Sequence, residues 1–280
     1  MITNLVLGAR TGALASDLAP KSGRRGSGPG AMRLVERNSI VARRLWYLFA
    51  TGLLEPVLYL FSIGVGVGKL VGTLPGPGGG PVPYEVFVAP GLMAAAAMNG
   101  SVLDTTFNFF VKFKYAHTYD AVLASPLGVA DVTRGEVLWA VLRGTLYSCA
   151  FLGAMVGLGL VKSPWAVLAV PAASLIALAF AGAGLAATTW MRAWTDFDYV
   201  NLTIVPLFLF SATFFPLSRY PDAVGWIVRA TPLYQGVAME RALVLGGVDW
   251  STVAHAAYLA VVGVVGVRIA TARLGKLLQP

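Results

Sequence analysis

The stretch LLEPVLYLFSIGVGVGKL, residues 53–70, determines the kind of fold that this chain can adopt. It is a long hydrophobic run that is interrupted by Glu55 and Pro56 and closed by Lys69 and Leu70. A run of roughly 20 mostly apolar residues can cross a membrane as a helix. The sequence therefore predicts a membrane-spanning helix that carries an embedded carboxyl group and a proline kink.

The composition of the whole chain agrees with a membrane protein. Its 280 residues are 57% hydrophobic and 12% charged, with a mean hydropathy of +0.71, whereas soluble domains have about 25% charged residues. The formal net charge of +8 indicates cytoplasmic loops rich in Lys and Arg, and we expect no nucleic-acid partner. The fold class predicted is all-α integral membrane, with lipid as part of the solvent.

Six segments are long and apolar enough to span a bilayer. They lie at roughly 46–70, 86–111, 137–161, 165–190, 198–217 and 251–272. An even number of spans places both termini on one side of the membrane. Lys and Arg are concentrated in the N-terminal tail and in the loops on that side, so we expect both termini to be cytoplasmic.

The N-terminal region divides into a tail and the start of the membrane domain. Residues 1–31 are predicted to be a flexible basic tail, because 19–32 are rich in Pro, Gly, Ser and Arg. Residues 32–280 form the membrane domain. The stretch MRLVERNSIVARRLW (32–46) has its arginines on one side of a helix and apolar residues on another. It is predicted to be a helix at the inner membrane surface, or else a basic flank of the first span.

Two further segments are predicted to form short helices. Residues 214–250 contain too many prolines for one span and too many apolar residues for an open loop, so we expect two short helices in the outer leaflet, starting near Pro221 and Pro232. On the other side, residues 115–124 (YAHTYDAVLA) can form a helix with Tyr115, Tyr119 and Val122 on one side. That helix lies on the membrane surface or docks a soluble partner.

Ionisable residues inside apolar segments are the candidates for function. Each costs on the order of 3 kcal/mol to insert. The candidates are Glu55, Asp104, Glu136 and Arg143. Two interpretations stay open for Glu55: a buried ion pair that fixes helix packing, for example with Arg143, or a lining of the translocation path.

No catalytic or cofactor-binding motif is present in the sequence. The Gly- and Lys-rich cluster before Leu70 is no phosphate-binding loop, because Ile63 stands where its first Gly belongs and no Ser or Thr follows Lys69. His117 and His255 have no partner at metal-ligand spacing. We expect no catalytic residues, no bound metal and no cofactor in this chain, which is therefore predicted not to be an enzyme.

Four stretches, taken together, resemble the ABC-2 type permeases, in the branch of the nodulation-factor exporter and daunorubicin-resistance permeases. They are RRLWYLFATGLLEPVLYLFSIGVGVG (43–68), YEVFVAPGLMAAAAMNGS (84–101), LASPLGVADVTRGEVLWAVLRG (123–144) and FPLSRYPDAVGWIVRATPLYQGVAMERALVLG (215–246). They cover nearly the whole chain after about residue 35.

The resemblance implies partners and places roles on residues. It implies a second permease copy, identical or related, and two copies of a separate cytoplasmic ABC ATPase that binds ATP and Mg. The residues expected to couple to that ATPase are Tyr115, His117, Tyr119, Asp120 and Leu123. Those expected along the translocation path or in helix packing are Glu55, Pro56, Asn99, Asp104 and Arg143. The outer gate region is expected at Phe214, Phe215, Pro216 and Tyr234.

The function that the resemblance implies is ATP-driven export from the cytoplasm or inner leaflet across a bacterial plasma membrane. The expected substrates are amphipathic or lipid-linked molecules, either drugs or lipo-oligosaccharides and glycolipids. An export permease for polysaccharide or teichoic acid is the alternative. A membrane enzyme and a passive channel are the remaining candidates, and the absence of clustered polar catalytic residues disfavours the enzyme.

Overall fold

The computed structural model describes residues 29–44, 54, 57–77 and 80–278. Its helices are α1 (Pro29–Arg44), α2 (Gly68–Val71), α3 (Tyr84–Leu103), α4 (Thr118–Leu123), α5 (Val129–Gly157), α6 (Ala169–Thr188), α7 (Phe197–Leu209), α8 (Asp222–Ala230), α9 (Pro232–Leu245) and α10 (Trp250–Leu278). Wider π-helical turns occur at Ser62–Val67, Asp104–Asn108 and Val111–Tyr115, and 3-10 turns at Pro164–Leu168, Trp194–Asp196 and Leu217–Arg219. Strands β1 (Thr73–Pro75) and β2 (Pro81–Pro83) form an antiparallel hairpin, with Thr73 opposite Pro83.

Four helical segments are long and apolar enough to cross a membrane. They are Tyr84–Tyr115, Val129–Gly157, Pro164–Thr188 and Trp250–Leu278. Each of them matches one of the predicted spans, and the described chain is therefore that of a helical membrane protein. Residues 46–53, 55 and 56 of the predicted span at 46–70 lie outside the described residues, and the total of six spans stays a prediction.

The predicted span over 198–217 is wrong in its second half. Helix α7 has 13 residues, which reach about 20 Å, whereas the hydrocarbon core of a bilayer is about 30 Å thick. The helix ends at Leu209, and Ala212 then adopts a positive φ of 57°. An L-residue in that conformation cannot continue an α-helix, so the rest of the predicted span is not helical.

The other helices predicted from local patterns are present. Helix α1 covers most of 32–46 and buries Leu34 and Val35. The two short helices predicted within 214–250 are α8 and α9, which begin next to Pro221 and at Pro232. The Thr231 hydroxyl accepts a hydrogen bond from the Tyr234 backbone N–H (3.3 Å) and caps α9. Their depth in the membrane stays a prediction.

Helices α6 and α10 pack against each other with their backbones in contact. A Cβ atom added at Gly182 of α6 would lie 2.5 Å from the Gly263 carbonyl oxygen, and one at Gly266 of α10 would lie 2.5 Å from the Gly182 carbonyl carbon. The two backbones are thus in contact, as small residues permit in membranes, where apolar burial alone does not drive helices together. Helix α6 also packs against α3 and α5, so this contact positions the helices that carry the candidate site.

We predict that Gly266→Ala destabilises the protein by roughly 1–3 kcal/mol, because the new methyl group pushes two backbones apart. The measurement is thermal unfolding of the full chain in detergent, followed by tryptophan fluorescence. Gly275→Ala, in the same helix, is the matched control, since nothing lies within 4 Å of its added Cβ. Equal unfolding temperatures for the two variants would contradict the close packing.

Candidate coupling and translocation sites

The end of α3 widens into a π-helical turn at Asp104–Asn108. A π turn leaves backbone carbonyl groups without their usual helical donors. Here the Thr188 hydroxyl of α6 donates to the Thr105 carbonyl oxygen at 2.9 Å. The turn is therefore held by a neighbouring helix, and it places Asp104 against α5.

Asp104 forms a buried ion pair with Arg143 of α5. The Arg143 Nη1 donates to the Asp104 Oδ1 at 2.7 Å, and Asn108 donates to the same oxygen. The Arg143 Nε and Nη2 also donate to the Tyr147 hydroxyl, at 3.1 and 3.0 Å. Asp104 is only 3% exposed and Arg143 only 7%. The charge of each side chain is thus balanced inside one chain, as a low-dielectric site requires.

Two of the residues expected along the path or in packing therefore meet. Asp104 and Arg143 lie in the interior of a single copy, which favours a packing role for this pair. Glu55 and Pro56 lie outside the described residues, so their position relative to the pair stays open.

Asn99 occupies a different place, a groove between α3 and α7. This groove has a volume of about 470 Å³ and is lined by Tyr59, Phe208, Phe214 and apolar residues of α3. The Asn99 side chain is exposed, although most of α3 is buried. An amide in an apolar groove can orient a ligand, so this is the candidate translocation surface. It joins Asn99 to Phe214 of the predicted gate.

The predicted gate residues contact different parts of the structure. Phe214 packs edge-on against Phe208 of α7, with ring centroids 5.2 Å apart. Phe215 packs against Tyr220 (5.5 Å), and Pro216 precedes the Leu217–Arg219 turn. The Tyr234 ring instead lies 6.5 Å from that of His255 on α10. The structure thus groups Phe214, Phe215 and Pro216 in one segment and places Tyr234 elsewhere.

Arg241 of α9 supports the gate segment, a role that was not predicted from the sequence. Its Nη2 donates to the carbonyl oxygens of Ala212 (2.9 Å) and Thr213 (3.4 Å), and its Nε donates to that of Phe87 (3.3 Å). The guanidinium also lies 3.8 Å from the centroid of the Phe87 ring. One cation therefore ties the irregular chain after α7 to the start of α3.

The residue before it, Glu240, was missed as well. Glu240 is fully buried, and neither carboxyl oxygen has a hydrogen-bond partner in the described part of the chain. A buried carboxyl group without a partner is neutral in practice. The signal in the sequence was an adjacent Glu and Arg inside an apolar helix, which is expensive in a membrane and marks embedded, structured positions.

A polar cluster joins the side of the bundle that carries α4. The Lys112 Nζ donates to the Glu136 Oε2 at 2.8 Å and to the Asn38 Oδ1 at 3.3 Å. Asn38 also donates to Glu136, at 3.3 Å. Glu136 is 2% exposed. The cluster links α1 and the π-helical turn Val111–Tyr115 to α5.

Tyr119 of α4 inserts toward this cluster. Its side chain is 1% exposed and its ring stacks on Phe109 at 5.1 Å. Burial raises the pKa of Tyr119 well above its usual value, and the nearby Glu136 carboxylate raises that pKa further. The phenol therefore stays protonated, and its hydroxyl and the second Glu136 oxygen are both buried without a hydrogen-bond partner among the described residues.

The α4 loop exposes other residues to a partner. Helix α4 is shorter than predicted, because His117 adopts a left-handed conformation (φ 46°) and the helix starts only at Thr118. Tyr115 ends the preceding π turn and does not share a helical face with Tyr119, which corrects the predicted pattern. The side chains of His117 and Asp120 are 70% and 66% exposed and lie 3.1 Å apart. Tyr115 is exposed as well, and Leu123 is half-buried.

No group of three metal-ligating side chains comes together in the described ranges. This finding covers His117, His255, Asp104, Glu136 and Glu240. The contacts observed at the site residues are ion pairs, hydrogen bonds and apolar contacts.

We predict that the Asp104–Arg143 pair is strongly coupled. Asp104→Leu leaves a buried guanidinium without its carboxylate and is expected to cost on the order of 3 kcal/mol of unfolding free energy. Arg143→Leu is expected to cost a similar amount, and the double variant much less than the sum of both. The measurement is denaturant titration of the four proteins in detergent. Additive losses would show that the two side chains do not depend on each other.

The comparisons with known proteins agree with this architecture. Residues 31–245 match the ABC-2 type transporter family. The chain is 30% identical to "Nodulation protein J" of Rhizobium leguminosarum bv. viciae over 232 residues, which are 81% of this chain and 86% of that protein. It is 28% identical to "Nodulation protein J" of Rhizobium meliloti (strain 1021) over 229 residues, with the same two shares. The resemblance drawn from the sequence is thereby confirmed, and this chain belongs to the ABC-2 type transporter family.

Proposed function

We propose that this chain is the permease subunit of an ATP-driven exporter for amphipathic, lipid-linked molecules. The family match over 31–245 carries the proposal. Lipo-oligosaccharides are the favoured substrates, because they are the cargo of the nodulation branch that the sequence resembles and the relatives found are rhizobial nodulation proteins. Amphipathic drugs are the second substrate class, favoured by the largely apolar lining of the groove beside Asn99.

The proposed assembly contains a second permease copy and two ABC ATPase subunits, which bind ATP and Mg. The exposed surface of α4, with His117 and Asp120, supports a docking role for this loop. The buried Tyr119 supports a role for α4 in transmitting movement, because α4 cannot move without displacing the residues that surround this side chain. ATP-driven closure of the two ATPases would then shift α4 together with α5 and α1.

The proposed transport cycle is alternating access. Movement of the two α4 loops changes the packing between the permease halves, and the groove beside Asn99 and Phe214 opens first to the inside and then to the outside. The energy comes from ATP hydrolysed on the partner subunits. In this arrangement the permease needs no catalytic residue of its own, and its chemistry is confined to binding and conformational change.

We expect lipo-oligosaccharide to stimulate ATP hydrolysis by the assembled transporter. This chain is to be co-purified with the ATPase encoded beside it and placed in lipid nanodiscs, and hydrolysis measured with lipo-oligosaccharide, with amphipathic drugs or with neither. Stimulation by drugs alone would reassign the substrate class. If no ATPase co-purifies, or if hydrolysis responds to neither class, the proposal is wrong.

Variants of α4 make the same experiment specific. Asp120→Ala removes an exposed contact, and Tyr119→Ala removes the internal anchor; each is expected to reduce stimulated hydrolysis roughly five- to ten-fold. Asp120→Ala is also expected to weaken ATPase binding, whereas Tyr119→Ala leaves the exposed surface in place. Asp222→Ala, the same exposed change on α8, is the matched control. Equal effects of Asp120→Ala and Asp222→Ala would exclude α4 as the docking element.

We further propose a bacterial plasma-membrane location with both termini and α4 in the cytoplasm. The β1–β2 hairpin would then lie outside. A cysteine at the exposed Gly80, in a chain whose Cys149 is replaced by serine, is expected to react with a membrane-impermeant maleimide on intact cells. A cysteine at the exposed Ser125, after α4, is expected to react only after permeabilisation. The reverse result would invert the topology.

A further inference from the structure

A second groove lies on another side of α7, between α7, α6 and α3. Its volume is about 750 Å³, within the roughly 300–1,000 Å³ typical of ligand sites. Its walls are mainly apolar, with side chains that include Val102, Phe180, Ala183, Val200, Ile204 and Leu207. This groove contains none of the residues that the sequence assigned to coupling, path or gate.

The hydroxyl groups of the two threonines that line the groove are already hydrogen-bonded. Thr203 donates to the Tyr199 carbonyl oxygen at 2.8 Å, and Thr106 donates to the Val102 carbonyl oxygen at 2.7 Å. Each hydroxyl therefore bonds back to its own helix and presents its methyl group more readily than its oxygen. The body of the groove fits a hydrocarbon chain better than a sugar or a charged group.

The length of the groove matches one leaflet of a bilayer. Along its α7 wall the lining runs from Asp196 to Leu207, which is about 17 Å at 1.5 Å per residue. Half of a hydrocarbon core is about 15 Å. Pro232, at the junction of α8 and α9, lines the groove as well.

One end of the groove is polar and carries charged side chains. Arg192 lines it, and its side chain is exposed. Asp196 lies beside Arg192, and one carboxylate oxygen accepts the backbone N–H groups of Arg192 (2.6 Å) and Ala193 (3.1 Å). These hydrogen bonds lower the pKa of Asp196 and tie the carboxylate to the backbone.

A second cation lies at the same end. The Arg273 guanidinium stacks over the Trp190 ring at 3.9 Å, and its Nε donates to the Thr189 hydroxyl at 3.0 Å. Trp190 itself lines the groove. Trp next to Arg is the pattern of a membrane interface, where anionic lipid headgroups attract basic side chains.

We propose that this groove binds an anionic phospholipid, with one acyl chain between α6 and α7 and the headgroup at Arg192. The lipid belongs to the leaflet on the side of α4, which is the inner leaflet in the proposed orientation. It is a resident lipid and not the cargo, because the candidate translocation groove meets α7 along a neighbouring face, and Ile204 is the one described residue that lines both grooves. Its effect is to fill the space between α7 and the rest of the bundle and so to support a helix too short to cross alone.

Photo-crosslinking of the full chain tests this proposal. The chain is placed in phosphatidylcholine nanodiscs that contain a small fraction of phosphatidylglycerol with a diazirine near the end of one acyl chain. After irradiation, peptide mapping is expected to find adducts on the lining residues of α6 and α7. Ala183→Phe fills the groove from α6 and Thr203→Phe from α7, and either is expected to remove most of the adducts. Two variants from opposite walls keep the test valid if one of them fails to fold.

The headgroup is tested separately. Arg192→Gln is expected to lower the preference for phosphatidylglycerol over the corresponding phosphatidylcholine probe about five-fold, the effect of one basic side chain near the surface. The matched controls are Ala257→Phe and Arg268→Gln, both at exposed positions of α10 that do not line the groove. Both are expected to behave like the unchanged chain.

Three outcomes would overturn the proposal. Adducts absent from the groove, or spread evenly over exposed α10 positions, would show that no lipid is held there. Adducts unaffected by both groove-filling variants would show that the acyl chain lies elsewhere. Displacement of the probe by lipo-oligosaccharide would assign the groove to the cargo instead of a resident lipid.

Discussion

Two ion pairs hold the α3 segment, the helical stretch Tyr84–Tyr115 that begins with α3, against α5. Asp104 pairs with Arg143, and Lys112 pairs with Glu136. Glu136 and Arg143 are seven residues apart and lie nearly on one face of α5. Asp104 and Lys112 are eight residues apart, which in an uninterrupted α-helix would turn them roughly 80° away from each other. The π-helical turns in this segment wind more slowly and bring both charges toward α5, which gives the irregular helix a physical reason.

The same contact lies beside the short loop helix α4. Glu136 accepts hydrogen bonds from Lys112 and Asn38, and the buried Tyr119 hydroxyl lies near it without a hydrogen-bond partner among the described residues. Helix α1, the α3 segment and α5 therefore share one buried carboxylate, and α4 packs next to it. Because a buried charge that loses its partners is costly, these elements are expected to move together and not one by one. A displacement of α4 would thus act on these helices through the buried Tyr119 side chain, which packs on Phe109.

The sequence predicted those parts of the fold that depend on long apolar runs or on local chemistry. Four spans follow from hydropathy, and α9 follows from Pro232 with its Thr231 cap. The early end of α7 could not be predicted from the local sequence. The left-handed residue Ala212 accepts a hydrogen bond at its carbonyl oxygen from Arg241, which lies far along the chain. Helix α4 was predicted too long, because nothing local announces the backbone conformation of His117.

The sequence identified several residues of the candidate site but not which of them pair. Asp104, Glu136 and Arg143 were recognised because charges inside apolar segments are expensive. Their partners depend on which helices meet, and local periodicity does not contain that information. Arg241 and Glu240 were missed because α9 was predicted as a short helix in the outer leaflet and its charges were not considered as buried ones; α9 packs against α3, α6 and α10. A charged residue in a short apolar helix therefore indicates a buried, structured position, as it does in a membrane-spanning helix.

Helix α7 is the place where these constraints leave the most freedom. It has no fully buried residue, and it separates two grooves of different chemistry. On one side Asn99 offers an amide among aromatic rings; on the other the threonine hydroxyls are bonded to their own helix and the wall is apolar. A helix held by so few internal contacts can shift at low cost. Whatever fills the groove between α6 and α7 is therefore expected to influence the position of the helix that also lines the groove beside Asn99, which is the candidate translocation surface.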